Sequence, residues 1–415
     1  MFVLTVMQQY DKLVGIFFFM PFALYADANL TTYVQGLEER IEHLEKEKKS
    51  KGILNLGSED TTMFLGGKVT LDTIYLHPAN GQNGGSNSND QFFNANDIPT
   101  SREGEESELT LTARNSKFWI KTRTAQVNEK PLMTLLEVDF WGSSGTETNS
   151  NSHNIRLRHA YMIYNGWTLG QTNSLFVGSS KPHTLLAPVN DVFMRQPLIS
   201  YAKEFDKSRL AISFEEPESV IMTQDGVKKA VNDDRFPDVV LKFQHNTARS
   251  ESSLSLLGRE LRIDKENQSS ITDTAFGYGY NLTSHIQTYD ENGFTFGLVG
   301  GKGIGRYMAT SFFPSAVINE EGKLEAQFSW GADIAYEHWI SNNLHLNMAL
   351  GQIETDNVLE IDSINKSAWS GHLGLQYNPL KKFLLAVEYL HAERTLQNDE
   401  SFSLDRGYLR VSYNF

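Results

Sequence analysis

Residues 409–415 read Leu-Arg-Val-Ser-Tyr-Asn-Phe (LRVSYNF). Leu409, Val411, Tyr413 and Phe415 alternate with Arg410, Ser412 and Asn414. Successive side chains of an extended chain point to opposite faces, so this stretch has one apolar face finished by an aromatic ring and one polar face. The same period recurs upstream. Phe328, Trp330, Ala332, Ile334 and Tyr336 alternate with Ser329, Gly331, Asp333, Ala335 and Glu337. Leu344, Leu346, Met348 and Leu350 alternate with His345, Asn347 and Ala349, and Trp369, Gly371, Leu373, Leu375 and Tyr377 with Ser370, His372, Gly374, Gln376 and Asn378. A soluble sandwich also alternates, but its outer face must hydrate. Here aromatic residues mark the ends of the apolar face, as membrane interfaces favour. A bilayer offers no partner to an open sheet edge, so such a sheet must close on itself.

Working outward from this strand gives sixteen strand-like segments. The ascending ones begin near Phe64, Leu132, Thr168, Arg209, Ser252, Gly293, Leu344 and Phe383. The descending ones begin near Leu109, Ile155, Gln196, Asp238, Ala275, Phe328, Ala368 and Leu404. Short turns join them on one side: Asn165-Gly166, Asp206 to Ser208, Asp290 to Asn292, Ser341 to Asn343 and Pro379 to Lys381. The other side carries mostly longer connections: 78–106, 142–154, 178–194, 218–237 and 306–327. Short turns at one rim and long loops at the other mark an outer-membrane barrel with its turns in the periplasm. The expected fold is all-β, a 16-stranded antiparallel transmembrane β-barrel over residues 53–415.

The N-terminal segment has a different character. Leu13 to Ala26 is an apolar run of 14 residues, short for a spanning helix, which needs about 20. It closes on Ala23 and Ala26, so residues 1–26 read as a cleaved signal peptide, with Met7 as an alternative start. Over residues 27–52 the period is helical. Leu30, Val34, Leu37, Ile41 and Leu44 form a heptad seam, a short coiled-coil helix expected in the periplasm. There is no cysteine in 415 residues, which excludes disulfides and thiolate metal sites. The net charge of -14 argues against nucleic acid as a partner.

Catalytic signatures are missing: no G-x-S-x-G, no H-E-x-x-H, no Walker loop. The run from Gly300 to Gly305 lacks the strand-to-helix setting of a phosphate loop and reads as a strand entering a Gly-rich rim. The 11 histidines are scattered without metal-ligand spacing, so no metal and no cofactor is expected. Charge on the inner face stands out instead. Arg156 and Arg158 alternate with Leu157 and should point inward, because an arginine facing hydrocarbon at the midplane costs roughly 2–4 kcal/mol. Arg114 and Lys117 flank a register shift at Asn115-Ser116, and Arg195 precedes the strand QPLISY. Glu137, Asp139, Asp72 and Glu388 also line the barrel. Basic rows in a narrow channel attract anions and orient carboxylates. The connection Val177 to Met194 is unusually apolar for an exposed loop and is expected to fold into the lumen, bringing Lys181, His183 and Arg195 near a constriction.

The C-terminal stretch resembles the recognition signal of bacterial outer-membrane barrels, which would make Leu409, Val411, Tyr413 and Phe415 an address for the barrel assembly machinery. A series of motifs in order, LTARNSKFW, LLEVDFWGS, IRLRHAY, LGQT, VFMRQP with Tyr201 behind it, and SFEEPES, resembles the DcaP-type porins over most of the chain. The resemblance implies a homotrimer whose helical N-termini meet in the periplasm. It also implies a basic selectivity region that passes small anionic solutes such as dicarboxylates. The family's arginines would fall on Arg114, Arg156, Arg158 and Arg195. Lys117 stands where an arginine is usual, Ser200 where another basic residue is expected, and Asn173 where an aromatic is expected. The expected function is a passive, water-filled channel in the outer membrane of a Gram-negative bacterium, not an enzyme. The alternative is a barrel enzyme or adhesin working through its long loops.

Overall fold

The computed structural model describes residues 60–78, 93–100, 107–125, 130–143, 149–231, 233–264 and 271–415. The signal peptide expected at 1–26 and the helical seam Leu30, Val34, Leu37, Ile41 and Leu44 lie outside these residues. No helix among them is long and apolar enough to cross a membrane.

The strands are β1 (Thr61–His77), β2 (Glu108–Thr112), β3 (Lys117–Thr124), β4 (Leu132–Asp139), β5 (Arg156–Tyr164), β6 (Trp167–Asn173) and β7 (Arg195–Phe205). They continue with β8 (Ser208–Glu215), β9 (Ser219–Met222), β10 (Lys228–Val231), β11 (Asp238–Asn246), β12 (Ser250–Ile263), β13 (Asp273–Gln287) and β14 (Gly293–Lys302). The last are β15 (Ala316–Ile318), β16 (Leu324–Ala326), β17 (Phe328–Ser341), β18 (Leu344–Asp356), β19 (Asn365–Tyr377), β20 (Phe383–Leu396) and β21 (Ser401–Asn414). All but β9, β10, β15 and β16 belong to one 17-stranded sheet. β2 and β3 both pair with β1 and are two halves of one stave, broken at Ala113 to Ser116. The barrel therefore has sixteen staves, each starting close to the position the two-residue period gave. It closes where β21 pairs antiparallel with β1, from Lys68↔Asn414 to His77↔Asp405.

The turns follow from local chemistry. Asn165 and Gly166 both have positive φ, 48° and 87°, the conformation that lets a two-residue hairpin match the right-handed strand twist. Asp206 and Asp290 also sit at positive φ, which Asp tolerates better than most side chains.

Burial runs opposite to that of a soluble protein. Val69, Leu71, Leu136, Ile199, Leu254, Leu282, Leu350 and Leu373 are exposed on the outer face, while Thr70, Asp72, Ser253, Ser255, Asn281 and Asn347 are buried inside. An apolar band encircling the sheet needs hydrocarbon around it.

The lumen is not uniformly wet. Three connections fold into it. Phe93, Ala95 and Ile98 from the first, Phe176, Leu186 and Val189 from the third, and Tyr307, Met308, Phe312 and Phe313 from the sixth join inward residues such as Ile74, Val240, Leu390 and Tyr408 in one apolar cluster. Beside it the fourth and sixth connections pair with each other, β10-β9-β15-β16, over a small core of Ile221, Leu261, Ile263, Ala316 and Ile318. The sixth connection was expected only as a long loop; its buried stretch, RYMATSFFP, is apolar enough to have signalled this.

Candidate selectivity region in the lumen

The third connection crosses the lumen and lies on the far wall. Its backbone amides supply part of the fastening: Ser179 and Ser180 donate to the hydroxyls of Ser253 and Thr283 at 3.0 and 3.3 Å, and Val189 donates to Ser370 at 2.9 Å. Leu185 and Leu186 donate to the buried carboxylate of Glu388 at 2.5 and 3.2 Å. The Asn190 amide donates to Asp333 at 2.5 Å. Glu388, read in the sequence as lumen lining, thus anchors the loop.

Opposite the loop stands a charged wall built on β1, β3, β4, β5 and β21. Alternation puts Arg156 and Arg158 on the same side, and the register against β4 shifts at Arg158. Val138 faces Leu157 and Glu137 faces His159, so Arg158 has no cross-strand partner and forms a bulge. Leu157 stays exposed on the outer face while Arg156 and Arg158 both turn inward. Arg158 Nε meets Glu137 at 2.7 Å and its Nη1 meets Asp139 at 2.8 Å. Arg156 binds Asp139 at 2.6 Å, and Lys117 binds Glu137 at 3.3 Å. At the closing seam Arg410 pairs with Asp72 at 2.7 Å.

Loop and wall enclose a cavity of about 330 Å³ whose lining includes Lys68, Lys117, Arg158, Arg410, Lys181, Asp139, Asp191 and Asp333. Lys181 is paired with Asp191 at 2.8 Å. Lys68 differs from its neighbours: no carboxylate lies within ion-pair distance of it among the described residues. Below Lys117, on the inward side of β3, Lys121 stands over the ring of Trp119 at 4.4 Å, a stacking that keeps a cation available to the lumen.

The structure brings Lys117, Arg158, Asp139 and Lys181 together around the cavity, with Glu137 and Arg156 completing the wall's ion pairs. Arg114 and Arg195 are placed differently. Arg114 is buried in the break between β2 and β3, its guanidinium 4.0 Å from the centre of the Trp141 ring. Arg195 lies over Phe193 at 5.0 Å, in electrostatic range of Arg158 and Arg156. Lys68 and Arg410 were not singled out from sequence as pore residues, although their parity in LGGKVTLDT and LRVSYNF points them inward beside Thr70, Asp72 and Ser412. Phe415 closes the seam: its amide and carbonyl exchange hydrogen bonds with Gly67 at 3.0 and 3.2 Å.

The closed sixteen-stave barrel has counterparts among solved structures. The outer membrane channel DcaP of Acinetobacter baumannii superposes with a TM-score of 0.70 at 20% identity, over 86% of this chain and 99% of that one. An anion-selective porin from Comamonas acidovorans gives 0.54 at 11% identity, over 86% and 100%. OmpT of Vibrio cholerae in its trimer form gives 0.53 at 9% identity, over 86% and 100%. No curated protein matches the sequence. The family model for the DcaP outer membrane protein matches residues 25–415. The chain belongs to the DcaP outer membrane protein family.

Proposed function

We propose that this outer-membrane channel passes small hydrophilic solutes passively and favours those bearing carboxylates, dicarboxylates among them. The observation that carries the reading is Lys68. The other wall cations are matched by Asp72, Glu137 and Asp139, so fixed charge there largely cancels. Lys68 adds a positive charge to the same cavity with no carboxylate at ion-pair distance among the described residues, Asp72 lying only in electrostatic range. At about 4 Å a unit charge pair is worth ~1 kcal/mol in bulk water and ~4 kcal/mol at the effective dielectric near a protein surface. A passing carboxylate is therefore held weakly and released, as conduction requires. Arg156, Arg195 and Lys121 extend the basic lining on either side.

Three further points belong to the same reading. The trimer form recorded for a barrel of this fold, together with the heptad seam from Leu30 to Leu44, supports a homotrimer with its helical segments joined in the periplasm. Leu409, Val411, Tyr413 and Phe415 serve as the address read by the barrel assembly machinery. Residues 1–26 act as the export signal, leaving 27–52 as the helix and 53–415 as the barrel.

The test is solute entry. Liposomes carrying the purified channel should swell faster in a small dicarboxylic acid than in a neutral sugar of similar size. Equal rates, with a zero reversal potential in a potassium chloride gradient, would remove the anion preference and leave the channel.

A further inference from the structure

The third connection is also held by a group of side chains that the selectivity region does not use. Its His183 projects to the far wall, where Nδ1 lies 2.6 Å from Glu337 Oε2 on β17. Across the same carboxylate, His345 Nδ1 on β18 lies 3.6 Å from Oε1. Glu337 and His345 are each 7% exposed. Neither ring nitrogen of His345 has a hydrogen-bond partner, and neither does Glu337 Oε1. Of the other groups facing this site, His285 on β13 stacks on His183 with centroids 6.0 Å apart, and Gln376 on β19 donates to the His183 carbonyl. Lys181 on the loop is engaged with Asp191, Asp333 on β17 with Asn190, and His372 on β19 with Glu388 on β20.

We propose that His183, Glu337 and His345 form a proton-operated latch that fastens the third connection across the lumen in mildly acid conditions and loosens it as the pH rises. The latch rests on the channel reading only for its effect on current.

The argument begins with Glu337. A buried carboxylate is stable when it is paired or amply hydrogen-bonded. Glu388 has two backbone amides and His372. Glu337 has no backbone donor among its hydrogen bonds; its hydrogen-bond partner is His183, and the His345 imidazole stands 3.6 Å away on the other side. An imidazolium at His183 supplies both charge and proton. Consistent with this, the hydrogen bond to Glu337 raises the His183 pKa above its ordinary 6.5, against the opposing effect of burial. A raised histidine pKa means that the attachment is fully present below the ordinary value and is lost as pH climbs through the raised one. Each unit of elevation is a tenfold change in the latch equilibrium. The connection is fastened besides at Ser253, Thr283, Ser370 and Glu388, with Lys242 donating to the Val177 carbonyl and Asp333 holding Asn190 as the other charged groups on it. Glu337→Gln separates the latch from these, because it leaves them untouched.

Single-channel recordings of the full-length protein in planar bilayers, between about pH 5.5 and about pH 8.5, span the histidine range. Flicker of the open level should become several-fold more frequent toward the alkaline end. Glu337→Gln and His183→Gln should each flicker at all pH values. Trp339 gives a readout independent of current. Its ring meets that of His345 at 4.3 Å and 74° beside Glu337, so the gain or loss of the His183 charge on that carboxylate should change its emission. The difference in emission between the parent and Trp339→Phe should titrate in this window and lose that titration in Glu337→Gln. An open channel whose flicker is flat with pH, or a Trp339 signal unchanged by Glu337→Gln, overturns the latch. A protein that carries no current at any pH overturns the channel reading instead, and the Trp339 titration then decides the latch.

Discussion

Arg410 and Asp72 meet in a two-pronged ion pair, Nε to Oδ1 at 2.7 Å and Nη2 to Oδ2 at 2.9 Å, although 338 residues separate them in the chain. The pair lies on the inner face of the seam where β21 closes on β1, with Asn115 also donating to Asp72. It welds the two ends of the sheet and at the same time cancels one cation at the cavity.

Removing the carboxylate should expose both roles. Asp72 is fully buried, and breaking one side of a buried pair costs about 3–5 kcal/mol. Asp72→Asn is expected to lower barrel stability by about that amount in denaturant titrations in detergent. It should also shift the reversal potential in a salt gradient toward the anion, because Arg410 is left uncompensated.

Lys68→Gln should act oppositely on selectivity and hardly at all on stability. No ion pair is lost, so the unfolding midpoint should stay within about 0.5 kcal/mol of the parent, as for substitutions away from packed features. The anion-over-cation permeability ratio should fall. An unchanged ratio would move the source of selectivity elsewhere in the lumen.

The double change Arg156→Ala with Arg158→Ala should go further than neutralisation. Asp139 loses both arginines and Glu137 keeps only Lys117. The reversal potential should cross zero to the cation side, and stability should drop by more than in Asp72→Asn, because two carboxylates lose partners.

Phe313 is fully buried in the apolar cluster where the first, third and sixth connections meet. Truncating a buried phenylalanine costs about 3–5 kcal/mol. Phe313→Ala should lower the unfolding midpoint accordingly and add conductance noise from a loosened sixth connection, with ion selectivity unchanged.

Gly67 and Gly371 make a paired test of the closing seam. A Cβ at Gly67 would come within 2.4 Å of the Phe415 ring and 2.7 Å of the Lys117 carbonyl. At Gly371 the nearest atoms are the ends of Leu350 and Trp369, at 3.3 and 3.6 Å. Gly67→Ala should cut the yield of heat-modifiable folded barrel, and Gly371→Ala should leave it near the parent level.

The staves and turns were legible because a membrane barrel repeats one local rule, with inward and outward residues alternating at every strand. That rule placed Arg156, Glu137, Asp139 and Lys117 inside before any coordinate was known. It holds the same information for Lys68 and Arg410, whose parity sets them inward beside Thr70, Asp72 and Ser412. What local period cannot convey is pairing across the closed circumference: the meeting of Arg410 with Asp72, or of His183 with Glu337, needs the barrel's stagger. The fate of Arg114 was hidden for another reason. The strand break at Asn115-Ser116 was readable, but not that Trp141 would fold over it and take the guanidinium out of the water path. The sixth connection was hidden by convention, since loops at the long-loop rim are taken to face outward, and only its apolar content argued otherwise.

The apolar wedge inside the barrel leaves two unlike arcs of wall. From β12 to β21 the staves are mostly 13 to 15 residues long, and several are backed by the wedge. From β4 to β6 each strand has seven to nine residues, and the stave before them is interrupted between β2 and β3. Charged side chains rather than an apolar cluster cover the inner side of this arc. Short ladders open most readily. Amide protection is therefore expected to be graded around the circumference, with the arc of short strands the more labile. The charged wall is thus set on the part of the sheet held by the fewest ladder bonds.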